Sequence, residues 1–178
     1  MDKLVLRFSS LLIFIIVISS ASAAPPALPD FVETWLYQSN LDYELSHGQF
    51  ESSLRTYLER EGPAEPWAIT GDFNGDGSVD WAGILRNRNE RIDLVAIIST
   101  GSTYTNWVLT PLGNDGDDLM TGVVVKPPGA VTGFPIEDDK PAPVVILTNP
   151  GIHLFYFEKA SVLYYWREDA FRELVTSD

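Results

Sequence analysis

The chain has 178 residues, of which 45% are hydrophobic and 12% aromatic, so a packed core is expected and a largely disordered chain is excluded. Its 25 acidic residues outnumber its 12 basic ones, giving a formal net charge of -13, which repels phosphates and argues against a nucleic-acid partner. The absence of cysteine excludes disulfides, thiolate catalysis and cysteine-bound zinc.

Residues 1–23 have the pattern of a secretory signal peptide. Two basic residues precede an apolar run too short to span a bilayer comfortably, and small residues end the segment at Ala23. We predict cleavage after Ala23, with an uncleaved N-terminal anchor as the alternative. The protein is therefore expected to be secreted or periplasmic, with no membrane span after signal removal and with residues 24–178 forming a single domain.

Two short helices are predicted after a proline-rich lead. Asp30 and Glu33 have the spacing of a capping box, and an apolar stripe follows them. Ser46 and Gln49 repeat that spacing before a second apolar stripe, which ends at Gly62. The two helices are expected to pack on whatever sheet follows.

From Trp67 onward the sequence has the texture of β-strands. The predicted strands cover residues 67–70, 81–86, 92–99, 123–126, 144–148, 152–158 and 161–166. Their connections lack helix-length segments, which favours antiparallel hairpins over parallel crossovers. The predicted fold class is α+β, with two short N-terminal helices packed on a mostly antiparallel β-sheet. Residues 126–143 contain many prolines and glycines, and we predict a long surface loop there.

One segment has the spacing of a calcium-binding loop. Oxygen-bearing side chains occupy alternate positions, namely Asp72, Asn74, Asp76, Ser78 and Asp80. Calcium takes about six to eight oxygen ligands, and a tightly coiled loop can turn every second residue inward, with the seventh position giving its carbonyl. Gly77 supplies the sharp turn. An EF-hand is not expected, because its twelfth position is Gly83 here and the flanking segments are predicted strands.

Residues 71–80 resemble the calcium loop of FG-GAP or VCBS-type repeats, whose pattern is D-x-[DN]-x-D-G-x-x-D between two strands. The resemblance implies that the side chains of Asp72, Asn74, Asp76 and Asp80 and the carbonyl of Ser78 bind calcium. Those families build propellers from several copies, whereas a single copy favours a loop within a small domain. The alternative is a plain acidic hairpin with solvated aspartates, in which Asn74 and Gly75 make a two-residue connection.

The other polar groups suggest less chemistry. The acidic clusters at residues 114–118 and 137–139 have the composition of solvated turns, with a second ion site as the alternative at the first. His47 is expected to lie at a helix start, and His153 to be a half-buried histidine within a strand. The motifs G-x-S-x-G, H-E-x-x-H and the P-loop are missing from the sequence. An enzyme is therefore the less favoured interpretation.

Residues 152–166 are predicted to form a β-hairpin with aromatic side chains on both faces. These side chains either fill the core or expose a binding surface for sugar rings or protein. We expect an exported, calcium-stabilised binding or interaction module whose unknown ligand is a protein or a carbohydrate. The alternative is a secreted calcium-dependent hydrolase, which a concave pocket joining residues 72–80 to His153 would favour.

Overall fold

The computed structural model describes residues 28–38, 43–45, 52–60, 66–114, 120–135 and 141–177. The helices are α1 (Asp30–Gln38) and α2 (Ser52–Arg60). The strands are β1 (Tyr43–Leu45), β2 (Ala68–Gly71), β3 (Asp80–Asn87), β4 (Arg91–Ser99), β5 (Tyr104–Asn114), β6 (Thr121–Lys126), β7 (Gly129–Thr132), β8 (Val144–Leu147), β9 (Gly151–Tyr156), β10 (Ser161–Arg167) and β11 (Ala170–Ser177). The predicted signal peptide, the start of the predicted second helix, His47 and the aspartates and glutamate of both acidic clusters lie outside the described residues.

Two antiparallel sheets form the body of the protein. In the first sheet, β3, β4 and β5 follow one another, and β1 and β2 pair with different halves of the same edge of β3. In the second sheet the order is β11-β10-β9-β6. Between β6 and β9 the chain forms a separate hairpin of β7 and β8. Both sheets are therefore built largely from strands that are neighbours in sequence, as short connections require.

The two sheets pack face to face around the main core. Leu94 of β4 lies in the same buried cluster as Leu154 of β9 and Tyr164 of β10. The sheets are also joined at one edge, where the carbonyl of Pro66 accepts a hydrogen bond from Val123 N at 2.7 Å. Burial of this interface supplies the main hydrophobic stabilisation of the fold.

The outer face of the first sheet is covered by α1. Val32 and Leu36 of the helix pack with Trp81 and Val95 of the sheet. Trp35 contributes a polar contact as well, because its Nε1 donates to the carbonyl of Tyr104 at 3.2 Å. The strands β3 and β4 thus have a protein layer on each face, and β4 is buried from Ile92 onward.

The outer face of the second sheet is covered by the β7–β8 hairpin. Val131 and Leu147 of the hairpin pack with Leu163 and Leu174 of the sheet. Neither described helix is long and apolar enough to cross a membrane.

The predicted α+β class is wrong, because 70 of the 125 described residues lie in strands and only 18 lie in helices. Each described helix has nine residues, and the layer that buries the inner face of the first sheet is the second sheet. The pattern analysis missed β5 and β11, whose mixed polar and apolar residues lack a clean alternation. Strands β6, β9 and β10 of the second sheet were predicted, but nothing in the sequence showed that they pair into a separate sheet that packs on the first.

The seven predicted strands are confirmed to within two residues at each end, and the predicted 152–166 hairpin is the antiparallel pair of β9 and β10. Strands β1 and β7 were not predicted either. The long loop predicted over residues 126–143 is wrong in part, because β7 lies within it. The prolines flank β7 at Pro128 and Pro135 instead of interrupting it, and proline is tolerated at the ends of strands.

Candidate functional site

The predicted calcium loop connects β2 to β3, which are antiparallel. Their pairing ends at Gly71 and Asp80, so residues 72–79 form the loop and the two-residue turn at Asn74 and Gly75 is wrong. Two glycines of the loop have left-handed backbone angles, with φ of 81° at Gly75 and 86° at Gly77. Glycine adopts such angles without a Cβ penalty, which explains the residue type at both positions.

The polar side chains of the loop fold over its own backbone. The hydrogen bonds run from Gly75 N to Asp72 Oδ1 (2.7 Å), Gly77 N to Asp72 Oδ2 (2.9 Å), Asp76 N to Asn74 Oδ1 (3.0 Å) and Ser78 N to Asp76 Oδ1 (2.8 Å). These bonds satisfy amides that would otherwise lack a partner in an irregular segment. The Ser78 N–H also lowers the pKa of Asp76, so this exposed carboxylate is ionised near neutral pH.

Asp80 differs from the other acidic residues of the loop because it is completely buried. Its Oδ2 accepts from Phe73 N at 2.7 Å and from Asn74 N at 3.3 Å, and its Oδ1 accepts from Ser99 N at 2.8 Å. Burial raises the pKa of Asp80, while the three backbone donors oppose that rise. Asp80 thus attaches the loop to the end of β4.

The loop contacts both sheets. Asn74 Nδ2 donates to the carbonyl of Ser99 at 2.8 Å, and the Phe73 ring is completely buried in the cluster between the sheets. On the side of the second sheet, Asn149 lies so close that a Cβ at Gly75 would be 2.6 Å from its Nδ2. The loop is therefore packed against the turn that precedes β9.

The donor atoms of the loop are all oxygens, which suits a hard cation such as calcium. In this conformation, however, no group of three or more acidic or histidine side chains within the described ranges is arranged to hold a metal ion. The carboxylates of Asp72 and Asp76 accept hydrogen bonds from amides of the loop, and that of Asp80 accepts from the amides of Phe73 and Ser99. The chemistry of the donor set fits calcium, and its geometry is that of a loop held by hydrogen bonds.

His153 has the half-buried, hydrogen-bonded environment predicted for it. Its Nε2 lies 3.0 Å from Thr176 Oγ1. Burial lowers the pKa of His153, and the positive charge of Lys126 adds to that effect. A neutral imidazole paired with a threonine hydroxyl is accounted for by packing within the second sheet.

The aromatic side chains of the β9–β10 hairpin contribute to cores. Tyr164 is buried between the sheets, where burial raises its pKa to about 12. Trp166 packs edge-on against Trp107 and Phe171, with ring centroids 5.5 and 5.1 Å away. Tyr165 packs against the cluster under the β7–β8 hairpin. Tyr164 therefore belongs to the interior, whereas Tyr165 and Trp166 are half-buried and also line a surface cleft.

The clefts on the surface of the described structure include two that border the elements discussed above. The first has a volume of about 560 Å³ and lies between α1 and the turn before β5, where the rings of Phe31 and Tyr104 stack at 5.2 Å. The second has a volume of about 430 Å³ and is lined by β8, the turn to Asn149 and the end of β10. The lining of each excludes His153 and the carboxylates of the 72–80 loop.

No protein-family model, curated protein or solved structure matches the chain. The similarity of residues 71–80 to FG-GAP and VCBS-type loops stays a prediction.

The sequence analysis missed the residues that attach the loop to its surroundings. Ser99 provides both a donor and an acceptor to the loop, and Asn149 packs on it from the second sheet. The sequence carries no signal for either contact, because Ser99 ends a strand and Asn149 stands in an ordinary Asn-Pro-Gly turn. Only the pairing of strands brings them together.

Proposed function

We propose that this chain is an exported, calcium-stabilised binding or interaction module with the ion in the 72–80 loop. The observation that supports this most directly is the position of the loop between the two sheets. Asp80 attaches it to Ser99 of β4, and Gly75 packs on Asn149 before β9. An ion that stiffens this loop would stabilise the contact between the two sheets.

The proposed ligands are the side chains of Asp72, Asn74, Asp76 and Asp80 and the carbonyl of Ser78. Asp76 is exposed and Asp72 partly so, so both have room to turn from the loop amides toward an ion. A bound calcium ion would offset the repulsion among the aspartates, in a chain whose net charge is -13. The folded protein would then bind calcium more tightly than the unfolded chain, which stabilises the fold.

A structural role for the ion has more support than a hydrolytic one. The His153 ring is hydrogen-bonded to Thr176 of β11, and His153 lines neither described cleft. General-base catalysis at the ion would need a base within hydrogen-bond reach of an attacking water. Export is proposed from the pattern of residues 1–23, and extracellular modules bind calcium with dissociation constants of about 0.1–1 mM.

The proposal is tested by thermal unfolding of the mature chain, residues 24–178, after removal of metal. Binding at a hundredfold excess over Kd adds about 2.7 kcal/mol, which for a domain of this size raises the Tm by roughly 5–11 °C. Addition of calcium should therefore raise the melting temperature by several degrees, and chelator should reverse the rise.

A matched pair of charge-removing variants localises the effect. Asp76→Asn keeps an oxygen for the Ser78 amide but removes a carboxylate from the loop, and should abolish most of the calcium response. Glu173→Gln removes an exposed carboxylate from β11 and should leave the response intact. A melting temperature indifferent to calcium and chelator in the metal-free wild type would reject the ion. An equal response in both variants would place the ion elsewhere in the chain.

A further inference from the structure

Strand β8 has one edge without a strand partner in the part of the chain that the structure describes. Just beyond the paired residues of β7 and β8, Gly133 N donates to the carbonyl of Pro143 at 2.7 Å. Gly133 and Pro143 are therefore a hydrogen-bonded pair of the two strands. Antiparallel pairs alternate between hydrogen-bonded and non-bonded positions. The pairs of Thr132 with Val144 and of Ala130 with Ile146 are therefore non-bonded, so the N–H and C=O groups of Val144 and Ile146 point away from β7.

The end of β10 offers a second edge of the same kind. Its pairing with β9 stops at Tyr164 and Ile152, while its pairing with β11 continues to Arg167 and Ala170. The latter residues close a two-residue turn with φ of 55° and 57°, the geometry in which the closing pair is hydrogen-bonded. By alternation, the N–H and C=O of Trp166 point to the β9 side, beyond the end of the pairing.

A proline prevents β9 from continuing its hydrogen-bonded pairing with β10. The register of β9 and β10 puts Trp166 opposite Pro150, which has no N–H to donate. Among the described residues, the outward backbone groups of Val144, Ile146 and Trp166 have no backbone partner.

Both edges border the second cleft. Its lining includes six successive residues, 144–149. Side chains alternate between faces along a strand, so an unbroken run lines a cleft only where the strand presents its backbone edge. Across the cleft lie Tyr165, Trp166 and Arg167. The apolar side chains beside the edge are unusually exposed, at 60% for Val144 and 67% for Ile146.

We infer that this cleft binds an extended peptide of a partner protein by strand addition to β8. The peptide would hydrogen-bond to the outward groups of Val144 and Ile146, and its apolar side chains would cover those of the same two residues. Near Trp166 the cleft carries Arg167, whose side chain is 64% exposed and whose Nε lies as far as 3.9 Å from Glu168 Oε1. A peptide with one carboxylate at that position would pair with it.

A partner peptide fits the cleft better than a second copy of this chain. Two copies would each bring a net charge of -13, and such charges repel on close approach. The volume of about 430 Å³ suits a few residues of extended chain rather than a domain surface. The cleft ends at Asn149, which packs on Gly75 of the 72–80 loop. The inference rests on the proposed function as a binding module and names the class of ligand that the module binds.

The experiment titrates the mature chain, in millimolar calcium, with a labelled synthetic peptide of sequence acetyl-Thr-Val-Thr-Val-Glu-amide. Two altered peptides serve as comparisons, one N-methylated at both valines and one with lysine in place of glutamate. We expect saturable binding in the micromolar to millimolar range. The N-methylated peptide should bind at least about tenfold more weakly, the factor expected for loss of one or two backbone hydrogen bonds.

Two proline variants of the protein test the edge itself. Ile146→Pro removes an N–H that the pairing with β7 does not use, and should lower the affinity for the peptide about tenfold. Ala130→Pro removes the equivalent outward N–H on the opposite edge of the same hairpin and should leave the affinity unchanged. Arg167→Gln should abolish the preference for the glutamate peptide over the lysine peptide. If Ile146→Pro does not fold, the altered peptides and Arg167→Gln still test the inference.

Several results would overturn the inference. They are no binding up to about 1 mM peptide, equal binding of the N-methylated peptide, or a wild-type oligomer that Ile146→Pro converts to a monomer, which would make a second copy the occupant. Slow hydrogen exchange at Ile146 in the free monomer would also overturn it, because the chain would then cover its own edge. Calcium-dependent melting is measured on the same samples. If the peptide does not bind but the calcium response is retained, the calcium proposal stands and the peptide inference fails. If the peptide binds but the calcium response is missing, the peptide inference stands and the calcium proposal fails.

Discussion

Strands β4 and β8 have the same apolar texture in sequence and opposite environments in the fold. Residues 92–99 are all buried, with β3 and β5 on the two edges and α1 and the second sheet on the two faces. In β8, Val144 and Ile146 are mostly exposed, and β7 is its one strand partner in the described structure. An apolar run therefore predicts a strand, whereas its burial depends on how many layers the rest of the chain places on it.

The sharpest test of this contrast truncates one apolar side chain in each strand. Leu94→Ala should lower the free energy of unfolding by about 2–5 kcal/mol, because Leu94 is fully buried and a cavity would remain. Ile146→Ala should change it by no more than about 0.5 kcal/mol. Urea unfolding of both variants measures the difference. A large loss at Ile146 would mean that β8 is covered in solution and would break the comparison.

The contrast between interior and surface recurs among the aspartates of the 72–80 loop. Asp80→Ala should cost roughly 2–4 kcal/mol even in chelator, because it leaves the buried amides of Phe73 and Ser99 without an acceptor. Asp76 is exposed, and Asp76→Ala in chelator should cost less than about 1 kcal/mol. Equal losses in urea unfolding would contradict the assignment of Asp80 as the attachment of the loop.

Substitution of two glycines in the loop distinguishes the cost of backbone strain from the cost of a steric clash with the second sheet. Gly75→Ala and Gly77→Ala both place a Cβ on a left-handed residue, at a cost of roughly 1–2 kcal/mol each. At Gly75 the Cβ would also meet the side chain of Asn149, whereas at Gly77 no other atom of the described residues lies within 4 Å of it. Gly75→Ala should therefore be the more destabilising change.

The contact with Asn149 is isolated by a double variant. Combining Gly75→Ala with Asn149→Ala removes the side chain that the new Cβ would meet, and should bring the cost down to that of Gly77→Ala. Thermal unfolding of the three proteins provides the comparison. A double variant no better than Gly75→Ala alone would show that the loop does not press on the turn before β9.

The smallest predicted effect concerns pH. Burial lowers the pKa of His153 below its ordinary value of 6.5, so the unfolded chain takes up a proton at a higher pH than the folded one does. The resulting stabilisation is complete above the unfolded value and is lost as the pH falls below it toward the folded pKa. His153→Gln should flatten this part of the stability profile, as measured by urea unfolding across the pH range. An identical profile in His153→Gln would assign the dependence to another group.

The sequence predicted elements better than it predicted layers. Alternation and turn residues placed β4 and the β9–β10 hairpin correctly, and the spacing of Asp72 to Asp80 located a loop between two strands. The fold class was wrong because the sequence does not record that β6, β9, β10 and β11 pair into a second sheet that buries the first. Strands β5 and β11 were missed because they mix polar and apolar residues on half-exposed surfaces, which hides their period. The loop attachments at Ser99 and Asn149 were unpredictable, since each depends on a contact between segments distant in sequence.

What the sequence by itself determined is local. Gly75 and Gly77 allow the left-handed backbone that a tight loop requires, and Asp72, Asn74 and Asp76 accept hydrogen bonds from amides a few residues further along the same loop. The tertiary structure alone decided that Asp80 is buried beneath that loop and that the edge of β8 lacks a strand partner within the described residues. The physical reason is that burial and strand pairing are relations between distant segments, and no local pattern records which segment becomes the neighbour of another.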